Sequence, residues 1–217
     1  MTGANPVERW TFGERPLDET EELAAVLRDL MGTALALELP SAEVRALVGE
    51  LRAAHARLAE QAPADLRPRV GADLDPARRV YIDRSRDIGD FNACFPRYEM
   101  TVADDRAEGR VTFPVVYEGP PGIVHGGFLA VFFDCVLQQL NCDMGRAGKT
   151  RDLSLRFRRP TPILTELEFV GERTLTDNSI QLHAELRLDG TVTCTAEMSA
   201  VLGDLAALPA VGPRRPA

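Results

Sequence analysis

One segment near the middle of the chain constrains the fold most. The run Glu-Gly-Pro-Pro-Gly-Ile-Val-His-Gly-Gly at 118–127 is followed by an apolar stretch from Phe128 to Leu140. The glycine pair Gly126-Gly127 at the start of a helix leaves backbone N–H groups able to face a ligand oxygen. Because the stretch is apolar on almost every side, we expect its helix to be buried, so the rest of the fold must surround it.

The apolar stretch carries a single acidic residue, Asp134. Burying a carboxylate is costly unless it is paired or used. A helix start that binds an oxyanion and a buried acid downstream are two parts of an acyl-transfer site. A less specific interpretation is equally open from the pattern alone. Gln138 and Asn141 follow at i+4 and i+7, and the three residues could form a polar stripe bordering solvent or a subunit.

Composition and charge disfavour several classes of partner. The 217 residues carry a formal net charge of -8, whereas phosphate binding favours a basic surface, so nucleic acid is not expected. No apolar run approaches the ~18 residues of a membrane span, and the N-terminus lacks the apolar core of a signal peptide. The four cysteines form no Cys-x-x-Cys pair and have no histidine at metal spacing. We expect a cytoplasmic protein without a metal or a disulfide framework.

Two amphipathic helices are predicted in the first third of the chain. One follows Asp18, and the other follows Ser41, which is a suitable N-cap. Their apolar residues recur at helical spacing: Leu23, Val26, Leu27, Leu30 and Met31, then Val44, Leu47, Val48, Leu51 and Leu58. Prolines then break the pattern, and we place a boundary near Asp75. Residues 1–75 are thus a helical extension, and residues 76–204 form the main domain.

The main domain is predicted to be mostly antiparallel strands around the apolar helix, which runs from about His125 to Asn141. The last two strands alternate apolar and polar residues, and Asp189-Gly190 between them is a hairpin signal. The predicted strands are 97–103, 110–117, 150–159, 164–174, 179–188 and 191–202, with turns at Asp104-Asp105 and Gly145–Gly148. One sheet around one helix is the economical packing. The proline-containing tail, 205–217, is predicted to be disordered.

This order and motif resemble the hotdog acyl-CoA thioesterases of the phenylacetate-pathway and 4-hydroxybenzoyl type, over about residues 97–202. The Glu-Gly-Pro-Pro-Gly-x-x-His-Gly-Gly form is similar to the branch that contains mitochondrial long-chain acyl-CoA thioesterases. His-Gly-Gly alone would be a weak signal. It is strengthened by Asp134 nine residues after His125, by Thr150 opening the next strand and by Arg159-Pro160 ending it. The resemblance implies an α+β hotdog fold and hydrolysis of an acyl-CoA thioester.

The resemblance also implies a role for each residue that matches the motif. Asp134 corresponds to the catalytic carboxylate, acting as general base toward water or as nucleophile. The N–H of Gly126 corresponds to the donor that polarises the thioester carbonyl, an interaction typically worth about 3 kcal/mol. Gly127 and His125 lie alongside it in the motif. Thr150 corresponds to a hydroxyl that positions the acid or the water.

Further residues are candidates for substrate binding: Gly127, Val124, Phe128, Arg156 and Arg158. Phe128 could line an acyl tunnel, although an aromatic residue in such a run is a core residue by default. Arg156 and Arg158 could meet the phosphates of coenzyme A, but a charged strand face is the commoner explanation. His125 is better interpreted as a scaffold residue than as the base, because an imidazole there can hold the helix start through backbone hydrogen bonds.

One position departs from the wider family. Many relatives carry an asparagine six residues before the histidine, where this chain has Gly119. The Pro-Pro branch also lacks that asparagine, so the departure favours the branch. The family builds its site from two subunits, which implies a homodimer or a dimer of dimers. Acyl-CoA is then the small-molecule partner, and no cofactor is expected beyond the coenzyme A of the substrate.

Two other functions stay open at this point. The chain could be a non-catalytic acyl-CoA-binding hotdog protein whose helices, about 18–58, dock a partner, because the fold itself does not need them. A hotdog dehydratase or hydratase is less favoured, because such relatives use a different local pattern, such as His-x-Asp, that the chain lacks.

Overall fold

The computed structural model describes residues 12–144, 148–176, 179–202 and 208–215. Its first part holds helix α1 (Asp18–Leu35), helix α2 (Ala42–Ala59), strands β1 (Asp65–Pro68) and β2 (Arg78–Arg79), and the one-turn helix α3 (Ile88–Phe91). Its second part holds strands β3 (Tyr98–Ala103) and β4 (Arg106–Thr112), helix α4 (Gly126–Asp143), and strands β5 (Gly148–Phe157), β6 (Glu166–Leu175), β7 (Ser179–Leu188) and β8 (Thr191–Leu202). Within these residues, no helix is long and apolar enough to cross a membrane.

Six strands form one antiparallel sheet in the order β3-β4-β6-β7-β8-β5. Helix α4 packs on this sheet and contacts β5, β6, β7 and β8. The fold is a hotdog. The α+β architecture predicted from the sequence is therefore confirmed, and β3 and β5 are the two edges of the sheet.

The sequence pattern explains why α4 lies at the centre. Its buried side chains include Phe132, Phe133 and Leu140, each with no exposed surface. Burying each such side chain stabilises the fold by about 1.5–3 kcal/mol. The Phe132 ring also meets Phe113 and Phe169 edge-on, with centroids 5.4 and 5.3 Å away. These contacts fix the rotation of α4 against the sheet and decide which of its faces stays open.

The open face of α4 is the side that its own sheet does not cover. Phe128 and Val131 on this side are 38% and 52% exposed, and Asp134 and Gln138 are half-buried. We call Phe128, Val131, Asp134 and Gln138 the open face.

Most predicted elements are confirmed to within a few residues, but the second strand is not. It was expected at 110–117, whereas β4 ends at Thr112 because Pro114 cannot continue the ladder and leads into a short 3₁₀ turn. It also begins earlier, because Asp104 and Asp105 both adopt positive φ and close the hairpin in two residues. The turn expected at Gly145–Gly148 lies mostly outside the described residues; Gly148 begins β5.

The disordered tail stays a prediction, although part of it lies within the described residues. Part of the tail predicted to be disordered, 208–215, is placed beside the segment after β1. Gly71 donates to the Ala210 carbonyl at 2.8 Å, and Gly212 donates to the Arg69 carbonyl at 3.0 Å. Backbone groups that find such partners are held despite the prolines around them. Residues 205–207 and 216–217 lie outside the described residues.

The boundary near Asp75 stays a prediction, although two observations bear on it. β1 and β2 pair in parallel across that position, at Asp65 with Arg78 and Pro68 with Arg79. Further along, Glu14 forms a bridge with Ile82. Backbone pairing therefore links the helical extension to residues beyond 75.

One buried side chain attaches α1 to the main domain. Arg28 is 4% exposed, and its guanidinium donates to the carbonyls of Phe95 at 2.8 Å, Asn92 at 3.1 Å and Gly89. The planar guanidinium of arginine carries several N–H donors in fixed directions, so one side chain can bond three carbonyls. By contrast, α2 has no buried residue. The Arg28 side chain of α1 thus adds to the backbone pairing that holds the extension, while α2 buries no residue.

Replacing Arg28 tests this attachment. Arg28→Met keeps the length of the side chain but leaves buried carbonyls without a donor, so we expect the free energy of unfolding to fall by about 3 kcal/mol. Arg52→Met on the exposed face of α2 is the matched control and should change stability by less than about 0.5 kcal/mol. Urea denaturation measures both. Equal losses in the two variants would contradict the attachment.

Candidate active site

A closed loop presents the start of α4. Gly119 donates to the Ile123 carbonyl at 2.8 Å, and Ile123 donates to the Pro120 carbonyl at 2.9 Å. The Glu118 carboxylate accepts from the Gly122 N–H at 2.6 Å, and Gly122 has φ 74°, a conformation that favours glycine. The Glu-Gly-Pro-Pro-Gly sequence therefore makes a turn that closes on itself and delivers the chain to His125.

His125 is the N-cap of α4. Its ring Nδ1 accepts a hydrogen bond from the Gly127 N–H at 3.0 Å. A ring nitrogen that accepts carries no proton, so the imidazole is neutral with its proton on Nε2. Its own backbone N–H donates to the Tyr117 carbonyl at 2.9 Å. This geometry supports the scaffold interpretation of His125.

Gly126 is left as the available donor at the helix start. Gly127 and His125 were expected to stand alongside it, but their N–H groups are already bonded within the chain. Within the described residues, the Gly126 N–H donates no hydrogen bond. It sits at the positive end of the α4 dipole, where an oxyanion is favoured.

A residue that the sequence analysis did not assign covers Gly126. A Cβ atom at position 126 would lie 2.8 Å from Cζ of Phe157, so the aromatic ring rests against the bare backbone. Phe157 ends β5 and is 61% exposed. Its place at the end of an alternating strand was the available signal, and it is a candidate wall of the site.

Asp134 and Thr150 are brought together within one chain. The Thr150 hydroxyl donates to Asp134 Oδ1 at 2.8 Å. A carboxylate on a half-buried helix face thereby gains a hydrogen-bond partner, which offsets its burial cost. Its second oxygen, Oδ2, has no hydrogen bond within the described residues and can face a water or a substrate.

Thr150 reaches Asp134 because β5 contains a bulge. Leu153 faces the core, and residues an odd number apart on a regular strand face opposite sides, so Thr150 would point outward. The pairing with β8 shifts after Thr150, which opposes Ala200, and leaves Arg151 as the extra residue. A bulge of this kind redirects a side chain, and here it turns the hydroxyl toward α4.

Two further polar residues of α4 join this pair. Gln138 Nε2 donates to Thr150 Oγ1 at 2.7 Å, and Asn141 Nδ2 donates to Gln138 Oε1 at 3.3 Å. The spacing that suggested a polar stripe was real, but the stripe leads into Thr150 and Asp134 rather than simply bordering solvent. The i, i+4, i+7 pattern was the signal in the sequence, and the strand that completes it could not be inferred from that pattern.

The two halves of the candidate site are far apart within one chain. Gly126 and Asp134 are eight residues apart on α4, which corresponds to about 12 Å along the helix axis. A reacting carbonyl must lie within about 3 Å of its donor and of the attacking group. One copy of α4 therefore cannot supply both groups to one carbonyl.

The neighbouring cysteine does not offer a thiolate. Burial, with the adjacent Asp134 charge as the smaller cause, raises the pKa of the Cys135 thiol to about 12. At neutral pH the thiol is therefore protonated and is a poor nucleophile. Among the described residues, no group of His, Cys, Asp and Glu side chains is arranged to hold a metal ion. Of these groups, the Asp134 carboxylate is the one that this geometry presents as a base or as a nucleophile.

The other candidate substrate residues lie in different surroundings. Val124 is 3% exposed and belongs to the hydrophobic core, so its side chain packs on the core side of the loop. Phe128 is on the open face, and its ring meets Tyr117 edge-on at 5.1 Å. Arg156 is exposed and precedes Phe157, so alternation places it on the other side of β5 from Gly126. Arg158, also exposed, follows the end of that strand.

The glycine that departs from the wider family has a steric cause here. A Cβ atom at position 119 would lie 2.9 Å from both Cα and Cβ of His125. Real Cβ atoms do not approach backbone this closely, so the loop must open to admit any side chain at 119. The tightly closed loop therefore explains why this chain has glycine, and not asparagine, at position 119.

Gly119→Ala tests this close approach. We expect a loss of about 2 kcal/mol in the free energy of unfolding, because the methyl group pushes His125 away from its capping position. Gly49→Ala, on exposed α2 with no atom within 4 Å of the new methyl group, is the matched control and should be neutral or slightly stabilising. Thermal and urea denaturation measure both variants. Unchanged stability in Gly119→Ala would contradict the close approach, because the loop would then admit a methyl group without strain.

Comparison with solved structures supports the fold independently of the sequence motif at 118–127. No family model and no curated protein matches the chain. A solved thioesterase superfamily protein is 28% identical, with a TM-score of 0.71 over 88% of this chain and 95% of that one. The fold is that of the thioesterase superfamily. The match leaves out 12% of the chain, about 26 residues. The two helices of the extension span residues 18–59, which is a longer segment, so the similarity must include part of the extension.

Other solved structures match about half of the chain. A hypothetical thioesterase with coenzyme A from Streptococcus pneumoniae TIGR4 is 17% identical, with a TM-score of 0.46 over 49% of this chain and 88% of that one. A phenylacetic acid degradation-related protein from Ralstonia eutropha JMP134 is 23% identical, with a TM-score of 0.44 over 48% of this chain and 83% of that one.

Proposed function

We propose that this protein is an acyl-CoA thioesterase, which hydrolyses the thioester to a free acid and coenzyme A. One observation carries the proposal: the Thr150 hydroxyl orients the Asp134 carboxylate on the open face of α4, while the Gly126 N–H at the start of the same helix has no acceptor among the described residues. A held base and a free oxyanion donor are the two groups that acyl transfer to water requires.

Two copies of the chain complete the site in this proposal. The partner subunit's Gly126 binds the thioester oxygen, and Asp134 of the first subunit acts on the same carbonyl. The distance along α4 excludes the arrangement within one copy. The exposed Phe128 and Val131 beside Asp134 and the unpaired edge of β5 offer the surface for such a homodimer, or for a dimer of dimers.

The proposed reaction uses Asp134 as a general base. Its free oxygen takes a proton from water as the water oxygen bonds to the thioester carbon, and the partner subunit's Gly126 stabilises the resulting oxyanion. The carbon–sulfur bond then breaks, the carbonyl reforms, and Asp134 returns its proton to the departing thiolate. General-base catalysis contributes about 10²–10⁴-fold, and one oxyanion donor contributes about 3 kcal/mol. The nucleophilic route stays open as the alternative.

The coenzyme A portion of the substrate is assigned by charge. Arg156 and Arg158 are exposed cations near the end of β5, and their guanidinium groups suit phosphate. A cytoplasmic location is proposed from the cysteines, all four of which are free in the described chain.

A second candidate is an acyl-CoA-binding protein without turnover. It is favoured by α2, which buries none of its residues and keeps apolar side chains such as Val48 and Leu51 at the surface. Such a helix could dock a partner whose state depends on the ligand. Stabilisation by coenzyme A esters without release of free thiol would favour this candidate.

A panel of acyl-CoA esters, assayed by release of free thiol, tests the proposed function. We expect turnover of at least one ester and a loss of about 10³-fold in kcat for Asp134→Asn, because the amide cannot take the proton. Asp152→Asn is the matched control, since this exposed carboxylate lies on the same strand as Thr150 but bonds Ser199. Full activity of Asp134→Asn would exclude the mechanism. A wild type that hydrolyses none of the esters would exclude the thioesterase and favour the acyl-CoA-binding protein.

A further inference from the structure

We propose that Gln138 is a positioning residue of this site. Its side-chain amide fixes the direction in which the Thr150 hydroxyl donates, and it thereby holds Asp134 Oδ1 as an acceptor throughout the reaction. The inference deepens the proposed thioesterase function and rests on it. It assigns a role to a residue that the sequence pattern left as part of an ordinary polar stripe.

The chemistry of each group forces the orientation of the next one. An ionised Asp134 carboxylate can only accept, so the hydroxyl of Thr150 must donate to it. The Gln138 group that faces Thr150 Oγ1 at 2.7 Å must then be the N–H side of the amide. Its carbonyl oxygen points the other way and receives the Asn141 amide at 3.3 Å. The hydrogen bonds therefore run in one direction, from Asn141 to Asp134.

The far end of this chain of hydrogen bonds lies in the protein interior. Asn141 is fully buried, so its amide has little freedom to turn away from Gln138. Asp134, Gln138 and Asn141 also sit on one side of a single helix, which keeps their spacing constant. Hydrogen bonds in a row polarise one another, so the Gln138 amide strengthens the bond from Thr150 to Asp134. The other contact of the hydroxyl, Met198 Sδ at 3.5 Å, is a weak acceptor.

This direction matters once Asp134 has taken a proton from water. Oδ1 already receives the Thr150 hydroxyl proton, so the new proton resides on Oδ2, the oxygen that faces the substrate. Because Gln138 keeps donating to Thr150 Oγ1, the hydroxyl does not reverse into an acceptor, which would favour a proton on Oδ1 instead. The proton stays where the departing thiolate needs it. Gln138 thus acts through Thr150 and does not touch the substrate.

The next residue on the helix provides a matched comparison. Gln139 is a buried amide, whereas Gln138 is half-buried, and it bonds away from the site, donating to Asp87 Oδ1 at 3.0 Å and accepting from the Asp87 N–H at 3.0 Å. A polar side chain of the same type, one position along, therefore serves the scaffold alone. Substitutions at 138 and 139 separate positioning from stability.

Two substitutions at position 138 test the donor itself. Gln138→Glu keeps the shape of the side chain but turns the donor into an acceptor that competes with Asp134 for the Thr150 proton. Gln138→Met removes the donor and keeps the length. We expect kcat for acyl-CoA hydrolysis to fall about 10-fold in Gln138→Met and further in Gln138→Glu, with KM changed less than about 2-fold. Wild-type kcat in Gln138→Glu would overturn the proposal, because packing alone would then explain the residue.

A double-mutant cycle tests whether Gln138 acts through Thr150. Thr150→Val removes the hydroxyl while keeping its shape, and we expect kcat to fall about 30-fold. Adding Gln138→Met to Thr150→Val should lower kcat by less than about 2-fold more, since the amide has nothing left to orient. An unchanged 10-fold loss in the Thr150→Val background would overturn the proposal, because Gln138 would then act by another route.

Gln139→Met is the control, and the outcomes separate the two proposals. We expect it to lower the midpoint of urea unfolding at least as much as Gln138→Met does, while kcat stays within about 2-fold of wild type. A kcat loss that instead follows stability in both variants would overturn the positioning role. A wild type that turns over no acyl-CoA would overturn the proposed function and this inference together. An active wild type with an unaffected Gln138→Met would overturn this inference alone.

Discussion

The one-sided burial of α4 is the constraint on which the rest of the structure depends. The sheet buries Phe132 and Leu140 completely, which fixes the helix and leaves the open face partly exposed among the described residues. Polar groups on that face need partners because water reaches them only partly. The Thr150 hydroxyl meets this need at Asp134 Oδ1, the Gln138 amide donates to that hydroxyl, and the second carboxylate oxygen is left available for chemistry.

The start of the same helix is built by a different device. The loop that closes on His125 admits no side chain at Gly119, and His125 in turn uses its ring to occupy the Gly127 N–H. These bonds leave the Gly126 N–H as the donor without an acceptor in the described chain. A donor at one end of α4 and a base near its middle cannot share a carbonyl within one copy. The same buried helix that organises both groups therefore makes the proposed site depend on a second copy.

The sequence predicted the elements that follow from local pattern. The alternation of β7 and β8, the Asp189-Gly190 turn and the long apolar helix were all recognisable, because burial on one face leaves a clear period. The inward turn of Thr150 was not predictable, because it depends on a bulge at Arg151 that only the pairing with β8 reveals. The roles of Arg28 and Phe157 were also missed. Both act through contacts with distant segments, which carry no local signature.

Complementation between two inactive variants tests the shared site most directly. Gly126→Pro removes the N–H at the first helical position, where the helix backbone tolerates proline and the exposed Phe157 ring must move aside, and Asp134→Asn removes the base. We expect each variant alone to be nearly inactive toward acyl-CoA. Co-expressed chains should recover about a quarter of wild-type activity, because half of the dimers are mixed and each mixed dimer has one intact site. Mixed dimers, purified through two different tags, that stay as inactive as their parents would contradict the account.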